Sequence, residues 1–305
     1  MVNKMNYLEE LKKIRKRIYI KTIITISIFL GFIIFLMCNS DRGIEMLIIT
    51  LPLGYFFLKT IIKMFILKKD KNLYNKVYKE NILLNCLKEN FTDVKYMLPD
   101  DDFPDTTLLP KDFVDVLEDI DIDGGILFND YISASYKNIK FEYIDIEMIS
   151  DFGRHEGPSS GSTHTSFKGQ WLVVETNKKI ETNVQIFDKT FKGNKKNGLL
   201  SEKKHKETKT NDIEFDNQFN IFVEKDSDMS KTLSANIIKK VKTIKKKLKL
   251  KLFIYLFDNK ICILLENKKD LFEPSIYKTR SLEQENSIIS GQIKVITDLI
   301  DTWIG

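Results

Sequence analysis

The sequence predicts an α+β protein in which an N-terminal two-helix transmembrane hairpin is followed by a cytoplasmic domain of antiparallel sheet with packed helices. Two apolar segments, residues 22–38 and 44–67, are separated by the short polar bend 39–43. Beyond residue 93, short alternating strands and amphipathic helices are typical of a folded domain outside the membrane. These observations divide the 305 residues into an anchor and a larger globular part.

The two apolar segments have the length and composition expected of membrane helices. Residues 22–38 contain no charge and nearly cross a hydrocarbon core of about 30 Å. Residues 44–67 carry Glu45 at the start and Lys59 and Lys63 near the end, where lysines reach lipid headgroups. The alternatives are a signal peptide for the first segment and a buried soluble helix for the second. The long stretch before residue 22 disfavours the signal peptide.

Basic residues indicate how the hairpin is oriented. Residues 1–80 carry 15 Lys/Arg against 6 Asp/Glu, and nearly all of these cations flank the hairpin rather than occupy its bend. Cytoplasmic loops of membrane proteins are enriched in lysine and arginine. We therefore expect a multi-pass protein of the plasma membrane with both termini in the cytoplasm.

Amphipathic stripes continue on either side of the hairpin. Residues 1–21 predict a basic cytoplasmic helix whose apolar positions are Leu8, Leu11, Ile14 and Ile18. Residues 68–92 predict a second helix with apolar positions at Leu73, Val77, Leu84, Leu87 and Phe91. We expect the two helices to pair as an antiparallel stalk beneath the bilayer. The alternative lays residues 5–18 flat on the membrane as an interfacial helix.

Residues 93–305 predict the cytoplasmic α+β domain. Its first half contains a short helix at 111–120, strands around a turn at Lys137-Asn138, and a Gly/Ser/Thr loop at 153–166. Residues 167–175 and 180–187 predict a hairpin around 176–178. Residues 189–212 are rich in Lys, Asn, Glu and Thr, and we expect a mobile insert there.

The second half of this domain has clearer signals. A strand at 219–223 precedes a helix of about 20 residues, 228–248, with Asp226 or Ser227 as its cap. Two strands then flank Asp258-Asn259, a favourable pair for a tight turn. Ser281, with Gln284 three residues later, predicts a capping box at the start of the last helix.

The charge distribution and the cysteine content disfavour a nucleic-acid-binding protein and a disulfide-stabilised protein. The net charge of +5 comes from residues 1–80, so the remainder is close to −4. The basic excess therefore suits anionic lipid rather than nucleic acid. Cys38, Cys86 and Cys262 form no framework that predicts disulfides, and we interpret them as unpaired.

Three segments contain residues that could form a site. Asp119, Asp121, Asp123 and Asp130 resemble an EF-hand loop for a divalent ion, but Ile120 and Ile122 are apolar and a strand pattern follows. His155 and His164 flank the Ser-rich loop 151–164, which lacks the setting of a nucleophile elbow or a metal site. The lysines at 239, 240, 242 and 245–247 are interpreted as a solvated helix face, with anionic lipid or an acidic partner as the alternative.

A strand begins at Phe167-Lys168-Gly169, and Phe215, Phe219, Val223 and Asp226 lie around a later strand that precedes a helix. These motifs resemble those of a bacterial membrane family catalogued as domain of unknown function 3137. The resemblance extends from about residue 60 to 300 and implies two N-terminal spans in a bacterial inner membrane. The insert at 189–212 is longer and more charged than the family pattern. The resemblance implies topology and fold but no activity.

We therefore expect a membrane-anchored cytoplasmic interaction or scaffold module that is not an enzyme. Its expected partners are the lipid bilayer and an unidentified protein, with no nucleic acid, and its oligomeric state is not predicted. No catalytic, cofactor-binding or metal-binding residue is assigned. One alternative is a membrane-bound hydrolase or transferase that uses the 151–164 loop. The other is a divalent-ion-responsive module that uses residues 119–130.

Overall fold

Helices and one large antiparallel sheet confirm the predicted α+β class. The computed structural model describes residues 2–38, 54–55, 68–98, 125–152, 162–190 and 205–304. The chain divides into two compact units. The helical unit comprises Met1–Cys86 and Glu273–Ser287, and the sheet unit comprises Leu87–Phe272 and Ile288–Gly305. The predicted helix at 111–120 lies outside the described residues.

The helical unit begins with α1, a single helix over Val2–Cys38. Helix α2, Lys68–Tyr78, continues through a π-helical stretch, Lys79–Leu83, into α3, Leu84–Asn90. Among the described residues, none of the helices combines the length and the apolar character that crossing a membrane demands. The predicted transmembrane hairpin at 22–67 is therefore not shown by the fold.

The π-helical stretch corrects one predicted stripe. A π-turn inserts an extra residue, so the side chains after it are rotated about the axis relative to those before it. The predicted stripe is therefore interrupted: Leu73 is exposed and Leu83 rather than Leu84 is fully buried, whereas Val77, Leu87 and Phe91 are buried as predicted. The stripe on α1 is confirmed for Leu11, Ile14 and Ile18, all of which are buried.

The sheet unit is built on antiparallel strands that pair in the order β1-β2-β3-β4-β9-β8-β5-β7-β6. In chain order, the strands found in the described residues are β1 Thr92–Met97, β2 Gly125–Tyr136, β3 Ile139–Phe152, β4 Ser162–Glu175, β5 Val184–Asp188, β6 His205–Thr208, β7 Phe219–Glu224, β8 Lys251–Phe257 and β9 Lys260–Glu266. Every pairing is antiparallel, as predicted.

The tight turns and the last cap follow the predictions. Tyr136 pairs with Ile139 across a two-residue turn in which Lys137 and Asn138 both have positive φ. Phe257 pairs with Lys260 across the Asp258-Asn259 turn. The last helix, α6, covers Leu282–Ile304. At its start the backbone N–H of Ser281 donates to Gln284 Oε1 and that of Gln284 donates to Ser281 Oγ, so the predicted capping box is confirmed.

The predicted hairpin of 167–175 with 180–187 is wrong. Strand β4 pairs with β3 and β9, whereas β5 lies between β7 and β8. All five residues of β5 are buried, as is typical of a strand in the interior of a sheet that is covered on both faces. The connection between β4 and β5 instead crosses the β8–β9 turn, where the Thr176 N–H donates to the Asn259 carbonyl at 2.6 Å.

Two predicted irregular segments contain regular structure. Strand β4 begins at Ser162, so the predicted loop 153–166 is wrong for residues 162–166. Within the insert 189–212, His205–Thr208 forms β6 and pairs with β7, which corrects the expectation of a mobile insert for this part. The backbone pairing to β7 outweighs the polar composition there. Residues 191–204 lie outside the described residues.

The predicted helix at 228–248 is interrupted because two short polar side chains each cap a helical segment. Asp228 accepts from the Ser230 N–H and starts a 3₁₀ turn, Met229–Lys231. Ser234 accepts from the Ile237 N–H and starts α5, Ala235–Leu248. Asp226 and Ser227 are therefore not the caps. A short helix, α4, over Ile213–Gln218 was not predicted.

The central strands bury both faces. Paired residues project to the same face, so Tyr143, Leu172 and Ile263 form one row while Ile144, Trp171 and Leu264 form a row on the opposite face. The second face carries an aromatic core that includes Trp171, Phe187, Phe253 and Tyr255. Burial on both faces explains why the sequences of β8 and β9 are nearly continuous apolar runs.

The β4–β9 pairing brings two backbones together at Gly169. A Cβ built on this residue would lie 1.9 Å from the Leu265 carbonyl oxygen and 2.9 Å from its carbonyl carbon. Real side-chain carbons do not approach backbone atoms so closely, so the glycine of the Phe167-Lys168-Gly169 motif is required by strand packing. Around the Cβ position of Gly291, in α6, the described residues leave open space.

These two glycines give a matched pair of substitutions. Gly169→Ala should lower the free energy of unfolding by about 2 kcal/mol or more, because the added methyl group forces β4 and β9 apart. Gly291→Ala should raise it by about 0.5–1 kcal/mol, because alanine favours helix. Denaturant unfolding followed by circular dichroism measures both values. Equal effects of the two substitutions would contradict this account of Gly169.

Candidate functional site

The acidic segment 119–130 is not assembled as an EF-hand in its described part. Strand β2 occupies the place where the second helix of that motif would lie. Asp130 is fully buried and accepts a hydrogen bond from the Tyr96 hydroxyl. Residues 119–124 lie outside the described residues. Within the described part of the chain, no group of three His, Cys, Asp or Glu side chains has a spacing that could hold a metal ion.

The histidines of the 151–164 loop are not brought into a site by the described residues. Asp151 and Phe152 end β3, and His164 lies in β4 opposite Ser150. His155 lies outside the described residues. Because His164 belongs to a paired strand, the interpretation of this segment as a solvated loop is wrong at His164.

The lysines of α5 are largely engaged in contacts within the sheet unit. Lys242 pairs with Asp212 at 3.2 Å and also with Glu214. Lys245 pairs with Asp188, and Lys247 pairs with Asp298 at 2.6 Å. The predicted solvated face is thus wrong for Lys242 and Lys245, which are partly buried, whereas Lys247 is exposed as predicted. Acids far away in sequence neutralise them, which a helix pattern alone does not reveal.

A buried polar cluster around Asp145 is the main feature that the sequence did not predict. Asp145 Oδ1 accepts from the Tyr143 hydroxyl at 3.0 Å and from Gln170 Nε2 at 2.9 Å. Its Oδ2 accepts from the backbone N–H of Leu271 at 3.1 Å. Gln170 Nε2 also donates to the Lys269 carbonyl at 2.9 Å. The cluster therefore fastens the segment after β9 to strands β3 and β4.

The electrostatics of Asp145 are unusual for a carboxyl group. Its burial disfavours the charged form, and this effect together with the nearby carboxylates of Asp130 and Asp270 raises its pKa to about 8. Hydrogen bonds from Gln170 and Tyr143 oppose the rise in pKa but do not cancel it. The raised pKa favours the protonated, neutral form of Asp145 at neutral pH.

A lysine lies at the edge of this cluster. Lys168 Nζ contacts Glu147 at 3.2 Å and Asp270 at 3.0 Å, so it bridges β3 to the segment after β9. Burial acts to lower the pKa of Lys168, but the contacts with Asp270 and Glu147 outweigh burial, and the pKa is raised. The middle residue of the Phe167-Lys168-Gly169 motif thus has a structural role next to that of its glycine.

The cluster borders a small apolar cavity. The cavity has a volume of about 140 Å³ and lies between the sheet and the two long helices of this unit. Tyr143 and Gln170 line it together with Leu172, Leu248, Leu250, Leu265, Asn267, Leu271, Val295, Ile296 and Leu299. A buried, protonated carboxyl can donate a proton, and perturbed pKa values often mark functional sites. Here the polar groups bond one another, which favours a structural role.

The helical unit contains the second set of contacts relevant to function. Arg15 donates to the Tyr74 hydroxyl at 2.6 Å, and Lys21 pairs with Asp70 at 2.6 Å. Residue numbers rise along α1 as they fall along α2, so the two helices run antiparallel. These contacts favour the predicted helix pair over an isolated interfacial helix. Its position beneath a bilayer stays a prediction.

The segment 273–287 adds to the helical unit. Lys79, which is almost fully buried, pairs with Glu273 at 2.6 Å. Tyr78 donates to Glu285 at 3.0 Å, and burial together with this carboxylate raises the pKa of the tyrosine. The Tyr19 hydroxyl donates to the Tyr277 carbonyl at 3.0 Å. Residues from three distant parts of the sequence thus hold this unit together.

Part of the chain matches a known protein family. Residues 165–303 match the family described as Protein of unknown function (DUF3137). The predicted resemblance is therefore confirmed over this part of the chain, although the match begins later than residue 60. It includes strands from β4 onward and helices α4 to α6. The motif at 167–169 falls at its beginning, where Gly169 and Lys168 have the structural roles described above.

Curated protein sequences and solved structures show little similarity to this chain beyond the family match. No curated protein sequence matches this chain. A solved structure, the crystal structure of the mycobacterial trehalose monomycolate transport factor A, TtfA, covers 74% of this chain and 96% of its own, with 8% sequence identity and a TM-score of 0.34. A similarity at this TM-score carries no argument about function.

The raised pKa of Asp145 predicts a pH dependence. The folded pKa of about 8 exceeds the unfolded value of about 3.8, so this group contributes its full stability below about pH 4 and loses it as the pH rises toward 8. The loss of unfolding free energy is about 6 kcal/mol at most. In Asp145→Asn, the decrease in unfolding free energy between pH 5 and pH 8 should be much smaller than in the wild type. Identical pH profiles from denaturant titrations would contradict the assignment.

The helix pair predicts a specific crosslink. Continuing the antiparallel register from Arg15–Tyr74 brings position 11 close to position 77, whereas Leu73 faces away. In a background with Cys38→Ala and Cys86→Ala, the pair Leu11→Cys/Val77→Cys should oxidise readily, since a disulfide needs Cα atoms within about 7 Å. Leu8→Cys/Leu73→Cys is the control and should not. A mobility shift in non-reducing gels distinguishes them, and the reverse outcome would refute the pairing.

Proposed function

We propose that this protein is a membrane-anchored interaction or scaffold module whose sheet unit lies in the cytoplasm of a bacterium. The main support for the proposal is that the apolar side chains of α1 are buried in its first part and exposed in its later part. Ile14 and Ile18 are completely buried within the helical unit. Farther along the same helix, Ile23, Ile28 and Ile34 are 60–68% exposed. The first part of α1 thus packs against protein, while the later part presents apolar side chains that the described residues do not cover.

The exposed apolar residues surround the later part of α1 rather than form a narrow stripe. They are Ile20, Ile23, Ile24, Ile26, Ile28, Leu30 and Ile34. Helices that are apolar on all sides are typical of buried or membrane environments. A large exposed apolar surface requires cover, and lipid chains supply it for a helix that carries no charge from residue 22 to 38.

The charged residues beside this surface suit a membrane boundary. Lys21 is the last cation before the uncharged stretch, and it pairs with Asp70 of α2. Before this contact α1 packs against α2, and after it most of the described apolar residues of α1 are exposed. Arg15 and the other cations that precede it are suited to anionic headgroups. The proposed localisation is therefore the inner membrane, with both termini on the cytoplasmic side.

The proposal of an interaction module rather than an enzyme rests on how the sheet unit uses its polar groups. Asp145, Gln170 and Lys168 are bonded to neighbouring chain segments and serve to hold the fold. The two alternatives, a hydrolase or transferase at 151–164 and a divalent-ion module at 119–130, depend mainly on residues outside the described part. No described contact favours either of them.

The proposed topology is tested by labelling single cysteines in intact cells. In a Cys38→Ser background, Ser40→Cys should react with a membrane-impermeant maleimide, because the bend 39–43 is expected on the outer side. Ser275→Cys, in the helical unit, should not react. The native Cys86 and Cys262 are buried and need no replacement.

The control for this experiment is the same labelling after the cells are permeabilised. Both introduced cysteines should then react, which shows that Ser275→Cys is accessible when the reagent can reach it. Labelling of Ser275→Cys but not Ser40→Cys in intact cells would overturn the orientation. Recovery of the protein in the soluble fraction would overturn the anchor.

A further inference from the structure

A large groove in the sheet unit is rimmed by lysines. It has a volume of about 710 Å³, within the range of small-molecule pockets. Its walls come from the β4–β5 connection, the first turns of α5 and the end of α6. The lysines that line it are Lys137, Lys178, Lys179, Lys231 and Lys240. We call it the basic groove.

The positive charge of the basic groove is not balanced by the acids among its described lining residues. Asp301 pairs with Lys137 at 2.6 Å, so that one lysine is neutralised. The other four face a single lining carboxylate, that of Glu181. Burial lowers the pKa of Lys240, and the nearby charge of Lys178 lowers this pKa further. Other lysines of the same helix, at 242, 245 and 247, have acidic partners instead.

The floor of the groove is apolar and contains an unsatisfied donor. Leu256, Ile261 and Trp303 line it, and all three are buried. Among the described residues, the indole Nε1–H of Trp303 finds no hydrogen-bond partner although the side chain is only 7% exposed. Buried donors are almost always paired, so an unpaired one indicates a missing acceptor. The Trp303 carbonyl, in contrast, accepts from Lys240 Nζ at 2.9 Å.

The start of α5 adds to the positive potential. Ser234, Asn236 and Ile237 line the groove at the N-terminus of this 14-residue helix. Backbone N–H groups in a first helical turn lack partners within the helix and favour an anion. Ser234 satisfies the N–H of Ile237, which leaves earlier N–H groups for a ligand. Helix, lysines and indole therefore favour the same kind of ligand.

We propose that the basic groove binds an organic phosphate, with the phosphate group among Lys178, Lys179, Lys231 and Lys240 and the organic portion on the apolar floor, where one of its acceptor atoms meets the indole N–H of Trp303. Lysine ammonium groups and a helix N-terminus suit a phosphate, whereas the apolar floor suits a larger organic group than inorganic phosphate alone provides. This site is independent of the proposed membrane anchor, since it belongs entirely to the sheet unit.

The chemistry fits either a soluble phosphate ester or the headgroup and first chain atoms of an anionic lipid. Both present a phosphate joined to an organic group. The source is distinguished by titrating purified full-length protein in detergent with adenosine monophosphate, with glycerol phosphate, and with phosphatidylglycerol added to the detergent micelles. Inorganic phosphate serves as the reference for binding by charge alone.

Tryptophan fluorescence provides the readout. The chain has two tryptophans, and Trp171→Phe leaves Trp303 as the sole reporter at the groove. An organic phosphate should change its fluorescence saturably and bind at least about tenfold more tightly than inorganic phosphate. Lys178→Glu/Lys179→Glu should weaken this binding about tenfold or more. The matched control is Lys239→Glu/Lys246→Glu, which makes the same charge change at exposed lysines that line a different groove.

Each outcome decides the proposal. Saturable binding of an organic phosphate that is lost in the groove variant but kept in the control supports it, and the probe that binds identifies the source. Equal loss in both variants would indicate attraction by net charge and overturn it. No saturable change with any of the three organic probes, or binding no tighter than that of inorganic phosphate, would overturn it as well.

Discussion

The fold of the sheet unit depends on the pairing of β4 with β9. This contact joins the strands β1 to β4 to the strands β5 to β9, which otherwise pair only among themselves. The two strands are separated by about 90 residues of sequence. Their pairing therefore has a larger entropic cost of loop closure than the pairing of two strands in a hairpin. Gly169 permits the close backbone approach, because any larger residue would meet the Leu265 carbonyl.

The buried polar cluster is a consequence of the same pairing. Asp145, Gln170 and Leu265 lie in one row across β3, β4 and β9, so the carboxyl and amide groups meet on one face of the sheet. The chain leaving β9 then turns back, and the Asn267 N–H donates to the Lys168 carbonyl at 3.0 Å. That return brings the backbone N–H of residue 271 to Asp145 and the carboxylate of residue 270 to Lys168. Without the β4–β9 register, these polar groups would lose the partners described here.

Local signals in the sequence predicted the local structure well. They did not predict which distant strands pair with each other. The turns at 137–138 and 258–259 and the cap at Ser281 depend on residues next to one another, and all are confirmed. The partners of β4 and β5 depend on which distant edge each strand meets, and alternation alone does not specify this. The π-helical stretch at 79–83 likewise rotates a helical face that the apolar spacing predicted as continuous. For the Asp145 cluster, the available signal was a carboxyl flanked by two isoleucines in a strand buried on both faces.

Helix α5 illustrates why a run of like charges has no single meaning. Its lysines at 242, 245 and 247 reach acids at the N-terminus of α4, on β5 and on α6, and these ion pairs connect the helix to its surroundings within the sheet unit. Lys240 instead contacts the Trp303 carbonyl and lies near a second cation, Lys178. Like charges held close together destabilise a fold unless something else compensates. Through Lys242, Lys245 and Lys247, α5 therefore stabilises the sheet unit. Lys240 instead adds to a cluster of positive charge that the stability of the fold does not require.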